Sequence, residues 1–292
     1  MAQGLWTKNA RLIDLARDIL RREWPMTIRQ IFYRLISVGS IENARSDYKR
    51  VIRLMTIARN DGRISFNWIV DRSRPVYVPP VFEDPRAYAE VVKRSYRRDY
   101  WTMQPVHAEI WCEKDTISGS IASVTDELGV TVRIGRGFNS TTRAREIAAV
   151  LTSIKKRKVI FYLGDHDPSG RNAEDEGYSR VLIHYRFLTS NSASSEIALH
   201  RLAIHKEDIK MFNLPPLRVK DTDSRTPAFL RKYGHDCVEL DALPPNELRR
   251  RIRVAITALL DQAAWSRAIA AEKVELASII DTVSNWPGFH SV

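Results

Sequence analysis

Apolar residues recur at helical spacing three times near the start of the chain. In "NARLIDLARDILRREW", Leu12, Ile13, Leu15, Ala16, Ile19 and Leu20 make one face. In "MTIRQIFYRLISVG", Ile28, Ile31, Phe32, Leu35 and Ile36 do the same, with Thr27 as N-cap and Gly39 as stop. In "SDYKRVIRLMTIARNDG", Val51, Leu54, Met55 and Ala58 line one side and Gly62 ends it. "RISFNWIVD" then alternates as a short strand pair does. Three helices and a β-wing predict a winged helix-turn-helix over residues 1–75. Four prolines in "RSRPVYVPPVFEDP" predict a linker, taken as residues 76–104, with a short helix around Arg86–Tyr96.

From Val106 the pattern changes. "VHAEIWC", "VTVRI", "KVIFYL" and "ALHRLAI" read as strands. "ISGSIASVTDEL", "TTRAREIAAVLTSI" and "GRNAEDEGYSRVLIHYRFL" read as helices between them. Such alternation predicts a mainly parallel sheet covered by helices, an α/β domain of Rossmann-like type. Two further helices are expected after Pro245, "NELRRRIRVAITALLDQAAW" and "AIAAEKVELASIIDTV". The second domain is thus placed at 105–292, helical extension included.

Charge adds a partner. The net charge is +11 over 292 residues. Residues 1–75 hold 15 Lys and Arg against 7 Asp and Glu, so most of the excess sits in the first quarter. That is the footprint of a nucleic-acid-binding module. Lys49, Arg50, Arg53 and Arg59 on the third helix, with Arg63, Arg72 and Arg74 on the wing, are the expected contacts to double-stranded DNA. "RRRIR", Arg249 to Arg253, reads as a solvated helix face. No apolar run approaches the roughly 20 residues of a membrane span, and the N-terminus carries no signal-peptide core. Cys112 and Cys237 alone make no disulfide scaffold and no zinc pattern, which fits a reducing, cytoplasmic setting.

The chemistry is concentrated in "YLGDHDPSG". Asp165 and Asp167 follow a buried strand with one residue between them. In extended backbone they aim the same way, about 6–7 Å apart. Like charges so close call for a cation, and carboxylates are the hard ligands Mg²⁺ takes. A solvated turn capping the next helix is the plainer reading. Glu113, at the end of the first strand with Lys114 beside it, stands where sheets of this kind gather functional residues.

"WCEK", "GRGFNSTTRAREIA" and "YLGDHDPSG" resemble the Toprim domain of topoisomerases and primases. With a winged helix before it and helices after, the chain resembles the DNA-cleaving A subunit of topoisomerase VI and the related meiotic double-strand-break transesterase. The likeness runs from about residue 8 to 260. It implies Glu113 as general acid/base and metal ligand, and Asp165 and Asp167 as Mg²⁺ ligands. "RQIFY" is similar to the family's Arg-x-x-Tyr/Phe-Tyr, which implies Tyr33 as nucleophile with Arg29 beside it. "VELDALPP", Val238 to Pro245, resembles a segment late in the Toprim domain. His166 stands where that family usually has a small residue. A homodimer is implied, with the tyrosine of one chain meeting the metal site of the other. So are a nucleoid-associated location and a possible ATPase partner, although the N-terminal extension that meets the ATPase in the family is not expected here.

Helical geometry bears on Tyr33 separately. It falls roughly 130° from the centre of the apolar face, with Arg29 one turn before it on the same flank. Tyr33 is therefore expected off the core, its phenol activated by a neighbouring cation. The reading is Mg²⁺-dependent DNA cleavage by tyrosine transesterification. Two alternatives stand beside it: an endonuclease that activates water on the same carboxylates, and a non-catalytic DNA-binding protein.

Overall fold

A computed structural model of the chain describes residues 2–70, 79–135, 140–190, 197–219 and 223–285, with side chains from residue 8. Three helices come first: α1 (Ala2–Glu23), α2 (Ile28–Ser37) and α3 (Arg45–Asn60). Thr27 starts α2 with a capping box. Its hydroxyl accepts from the Gln30 N–H at 3.1 Å, and Gln30 Oε1 accepts from the Thr27 N–H at 2.8 Å. Such a cap contributes about 1 kcal/mol. Gly39 and Gly62, both with φ near +70°, turn the chain after α2 and α3.

After α4 (Pro85–Ser95) strands and helices alternate: β1 (Val106–Cys112), α5 (Asp115–Glu127), β2 (Thr131–Ile134), α6 (Thr141–Ser153), β3 (Arg157–Leu163), α7 (Pro168–Leu188) and β4 (Ile197–Ala203). The four strands form one parallel sheet in the order β2-β1-β3-β4. The side-chain period of two splits the core. Ala108, Ile110, Val159, Phe161 and Leu163 face the cluster shared with α5 and α1–α3. Trp111, Ile160 and Tyr162 face α6 and α7. The first cluster is continuous from Leu12 and Met55 of the helical region to the sheet. β1 and β3 are neighbours, so the ends expected to carry Glu113 and Asp165 lie side by side.

The remainder is α8 (Lys206–Met211), β5 (Leu217–Arg218), α9 (Thr226–Tyr233), β6 (Asp236–Cys237), α10 (Pro245–Thr257) and α11 (Gln262–Ser284). The segment between β6 and α10 crosses the mouth of the sheet. It pairs with the β3 loop through His166 N–H to Val238 O at 2.8 Å and Val238 N–H to His166 O at 3.0 Å.

Three expectations need correction. The strand pair expected in residues 63–70 is not formed: Phe66–Trp68 is a 3-10 turn, and Ile69 makes one parallel bridge to Met26. Alternation alone does not distinguish a strand from a turn whose Ile64 and Ile69 dip into the core. The rest of the expected wing, with Arg72 and Arg74, lies outside the described residues. The helix expected from Asn246 to Trp265 breaks where Asp261 caps α11, accepting from Ala264 N–H at 2.9 Å. Part of the expected linker is packed: Trp101 is buried and donates its indole N–H to Leu128 O at 2.9 Å. Among the described residues no helix is long and apolar enough to cross a membrane.

Candidate active site at the strand ends

Three segments build the site. Glu113 and Lys114 follow β1, and the Glu113 N–H extends the ladder to Leu163 O at 2.9 Å. Asp165 and Asp167 lie in the loop between β3 and α7. Glu239 and Asp241 come from the crossing segment before α10.

The Glu113 carboxylate sits in a cradle of two glycines. A Cβ at Gly164 would come 2.9 Å from Glu113 Oε2 and would clash with the Tyr162 ring. One at Gly170 would come 3.0 Å from the same oxygen and 2.7 Å from the Asp165 carbonyl. Glu113 Oε2 accepts the Asp165 N–H at 3.0 Å. Burial, and next the nearby Asp167 charge, push the Glu113 carboxyl up from its ordinary value. Asp165 Oδ1 accepts the Leu240 N–H at 2.7 Å. Its carboxyl is pushed up to about 7, chiefly by burial, against the pull of Lys114.

Asp167 caps α7, accepting the Gly170 N–H at 2.6 Å, as the plainer of the two readings of this pair expects. The intervening His166 points the other way. It is buried between Phe229 and Tyr233, 5.3 Å from each ring centre, with Arg171 donating to Nδ1. Burial, reinforced by Arg171 and Arg201, lowers its pKa to about 4. Arg201 of β4 secures the loop from below, donating to the carbonyls of Gly164 at 2.8 Å and Ala203 at 3.1 Å while bound to Glu174.

Lys114 reaches Asp165 Oδ1 at 3.0 Å, Glu239 Oε2 at 3.1 Å and Asp241 Oδ2 at 3.0 Å. Among the described residues Glu113 and Asp167 have no ion-pair partner. No three His, Cys, Asp or Glu side chains there are arranged to hold a metal ion as they stand. The donor chemistry nonetheless fits a hard divalent ion: two unpaired carboxylates flank a third, in a cradle that any side chain at 164 or 170 would fill.

Tyr33 is corrected by the structure. It is 3% exposed and belongs to the core. A helical wheel assumes one covered face, but α2 is covered on two. Residues 30–33 and Leu35 are all buried, with α1 and α3 on one side and the crossing segment on the other. Gln30 Nε2 also donates to Ser120 of α5 at 3.3 Å. Arg29 does stand beside Tyr33, its guanidinium carbon 5.8 Å from that ring centre and 5.6 Å from that of Tyr48. Its Nε and Nη2 are bound to Glu239. Burial first, then the Glu239 charge, push the Tyr33 phenol up to about 12. Tyr33, Arg29, Arg45, Tyr48 and Glu239 line a cavity of about 250 Å³.

The expected DNA contacts divide. Lys49 and Arg53 are exposed on α3. Arg50 donates twice to Asn9, Arg63 pairs with Asp61, and Arg59 binds the Met55 carbonyl and lies over Phe66. Lys8 and Arg11 of α1, not singled out by sequence, share a groove of about 420 Å³ with Arg50. "RRRIR" is a solvated face only in part, at Arg250 and Arg253. Arg249 binds the carbonyls of Ser120 and Glu23 at 2.7 and 2.8 Å, and Arg251 binds Asp208. Glu239 and Asp241 were also missed, although they repeat the i, i+2 acidic spacing of Asp165 and Asp167. The chain matches no family model and no curated protein.

Proposed function

We propose that the chain cleaves DNA by transesterification, with Tyr33 as nucleophile. One observation carries the reading: within one chain Arg29 lies over the Tyr33 ring and binds Glu239, which shares Lys114 with Asp165, so the tyrosine helix is tied to the carboxylates without the partner expected of a dimer. The cationic surface of α1 and α3, with Lys8, Arg11, Lys49 and Arg53, receives the duplex backbone. Arg29 keeps three N–H donors beyond the two given to Glu239, and these meet the phosphate in the cavity. The Tyr33 phenol gives up its proton to solvent as its oxygen bonds to phosphorus, and the P–O3′ bond breaks to leave a 5′-phosphotyrosyl end and a 3′-oxygen that takes up a proton as a hydroxyl. Glu113, whose carboxyl burial pushes up from its ordinary value, is the proposed general acid for the leaving oxygen. Mg²⁺ held by Glu113, Asp165 and Asp167 would supply Lewis-acid neutralisation of phosphate charge.

A second reading, hydrolysis by an activated water, draws on the same carboxylates. The burial of Tyr33 and its phenol near 12 favour it. Tyr33→Phe separates the two: it ends covalent protein–DNA product under the first and spares nicking under the second.

A further inference from the structure

Lys114 is placed unlike a surface lysine. Its backbone is extended, with φ −110° and ψ 125°, so it and Glu113 leave the chain on opposite sides. Glu113 goes to the glycine cradle, and Lys114 goes to the crossing segment. Asp165 lies between, touching Glu113 through its N–H and Lys114 through Oδ1.

An ammonium has three N–H donors. Three carboxylate oxygens surround this one, each from a different residue, at 3.0, 3.1 and 3.0 Å. These are ammonium-to-oxygen distances, where Mg²⁺ would draw its ligands to about 2.1 Å. The Asp241 side chain has no exposed area, and among the described residues its Oδ1 has no hydrogen-bond partner. Remove the lysine charge, and Asp165, Glu239 and Asp241 face one another, with Arg29 already bound to Glu239 and Arg201 held to the loop carbonyls of Gly164 and Asp165.

We propose that Lys114 is the resident cation of this site, holding between Asp165, Glu239 and Asp241 the position that a second divalent ion would otherwise occupy. Glu113, Asp167 and the Asp165 oxygen that does not face Lys114 are left for an ion that comes and goes. The division of labour rests on the proposed Mg²⁺ chemistry, but the cage itself is a property of the chain. It makes the enzyme a one-ion catalyst, its second positive charge covalently attached and insensitive to ion supply.

The test is calorimetric titration of the full chain with Mn²⁺. Wild type should bind one ion, Lys114→Met one more, and Lys114→Arg no more than wild type. Equal stoichiometry in wild type and Lys114→Met, or two ions in wild type, overturns the proposal. No ion in wild type with one in Lys114→Met refutes the catalytic ion and still supports the cage. Should Lys114→Met fold only when millimolar Mg²⁺ is added, the ion has replaced the lysine as proposed. Failure of any divalent ion to restore its fold counts against it.

Discussion

Arg29 and Glu239 lie 210 positions apart and are joined by two hydrogen bonds, Nε to Oε2 at 2.6 Å and Nη2 to Oε1 at 2.5 Å. One residue comes from the second helix and the other from the segment that closes the mouth of the sheet. The pair is therefore the place where the tyrosine and the carboxylates are set relative to each other. Glu239 also takes the Lys114 ammonium, so a single carboxylate is shared between both halves of the site.

Removing that carboxylate charge should be felt on both sides. A double-mutant cycle of Arg29→Gln and Glu239→Gln should give a coupling of about 1–2 kcal/mol in chemical denaturation, because the pair is forked but partly solvated. In Glu239→Gln the Tyr33 phenol should also titrate below about 12, since burial remains but the second cause of its shift is gone. Ultraviolet difference titration against Tyr33→Phe in the same background measures this. Zero coupling with an unmoved phenol would separate the two halves.

The glycine cradle makes a steric prediction. Gly170→Ala places a methyl 3.0 Å from Glu113 Oε2 and 2.7 Å from the Asp165 carbonyl. Overpacking at such contacts costs about 1–3 kcal/mol. The unfolding free energy from denaturant titration should fall by that amount, and Mg²⁺-dependent cleavage should fall further than stability does. Ser169→Ala, at the exposed neighbour, should stay within about 0.5 kcal/mol of wild type. A Gly170→Ala protein as stable and active as wild type would show that Glu113 does not need the cradle.

The parallel sheet and the adjacency of Glu113 to Asp165 were legible because strand period and strand order are local, repetitive signals. The helix cap in the Asp165-x-Asp167 turn was legible for the same reason, because an Asp before Pro-Ser-Gly is a local signal. Burial of Tyr33 was not legible, because a helical wheel sees one helix and its second cover arrives from residues 239–243. Arg249 and Arg251 misled for a related reason. A run of arginines looks solvated until the carbonyls and carboxylates of other elements are brought to it. Glu239 and Asp241 carried a readable spacing, but only the fold says that their segment crosses the strand ends.

Asp165 gives a pH dependence. Its carboxyl, near 7 when folded, stands above the unfolded value of about 4. Such a group stabilises the fold below the unfolded value, and the contribution is lost as pH rises through 7. Asp165→Asn abolishes the titration, while His166 titrates alike in both proteins and cancels in the difference. Without divalent ions, the melting temperature of Asp165→Asn relative to wild type should climb between pH 4 and 8. The pH-dependent part is of the order of 4 kcal/mol at most. Saturating Mg²⁺ should shrink it. A difference that is flat with pH would contradict the buried, proton-holding state of Asp165.

DNA should be held on α1 and α3. Lys49 and Arg53 are exposed, so Lys49→Ala with Arg53→Ala should flatten log K against log salt by about two units. Arg250, paired among the described residues only with Glu247 on its own helix, is the proper control and should leave the slope unchanged. Arg249→Ala and Arg251→Ala are unsuitable controls, because each breaks bonds between elements. A larger slope loss from Arg250→Ala would move the interface to the opposite end of the chain.

The most direct measurement of the central claim is to trap the cleavage product. Wild type is incubated with end-labelled duplex DNA and Mg²⁺, denatured, digested with protease and examined by mass spectrometry for a nucleotide-bearing peptide. The expected result is a phosphotyrosyl adduct on the peptide that contains Tyr33, absent from Tyr33→Phe and from Asp165→Ala. DNA cut with no adduct, and cut equally well by Tyr33→Phe, would contradict transesterification and leave a hydrolytic nuclease in its place.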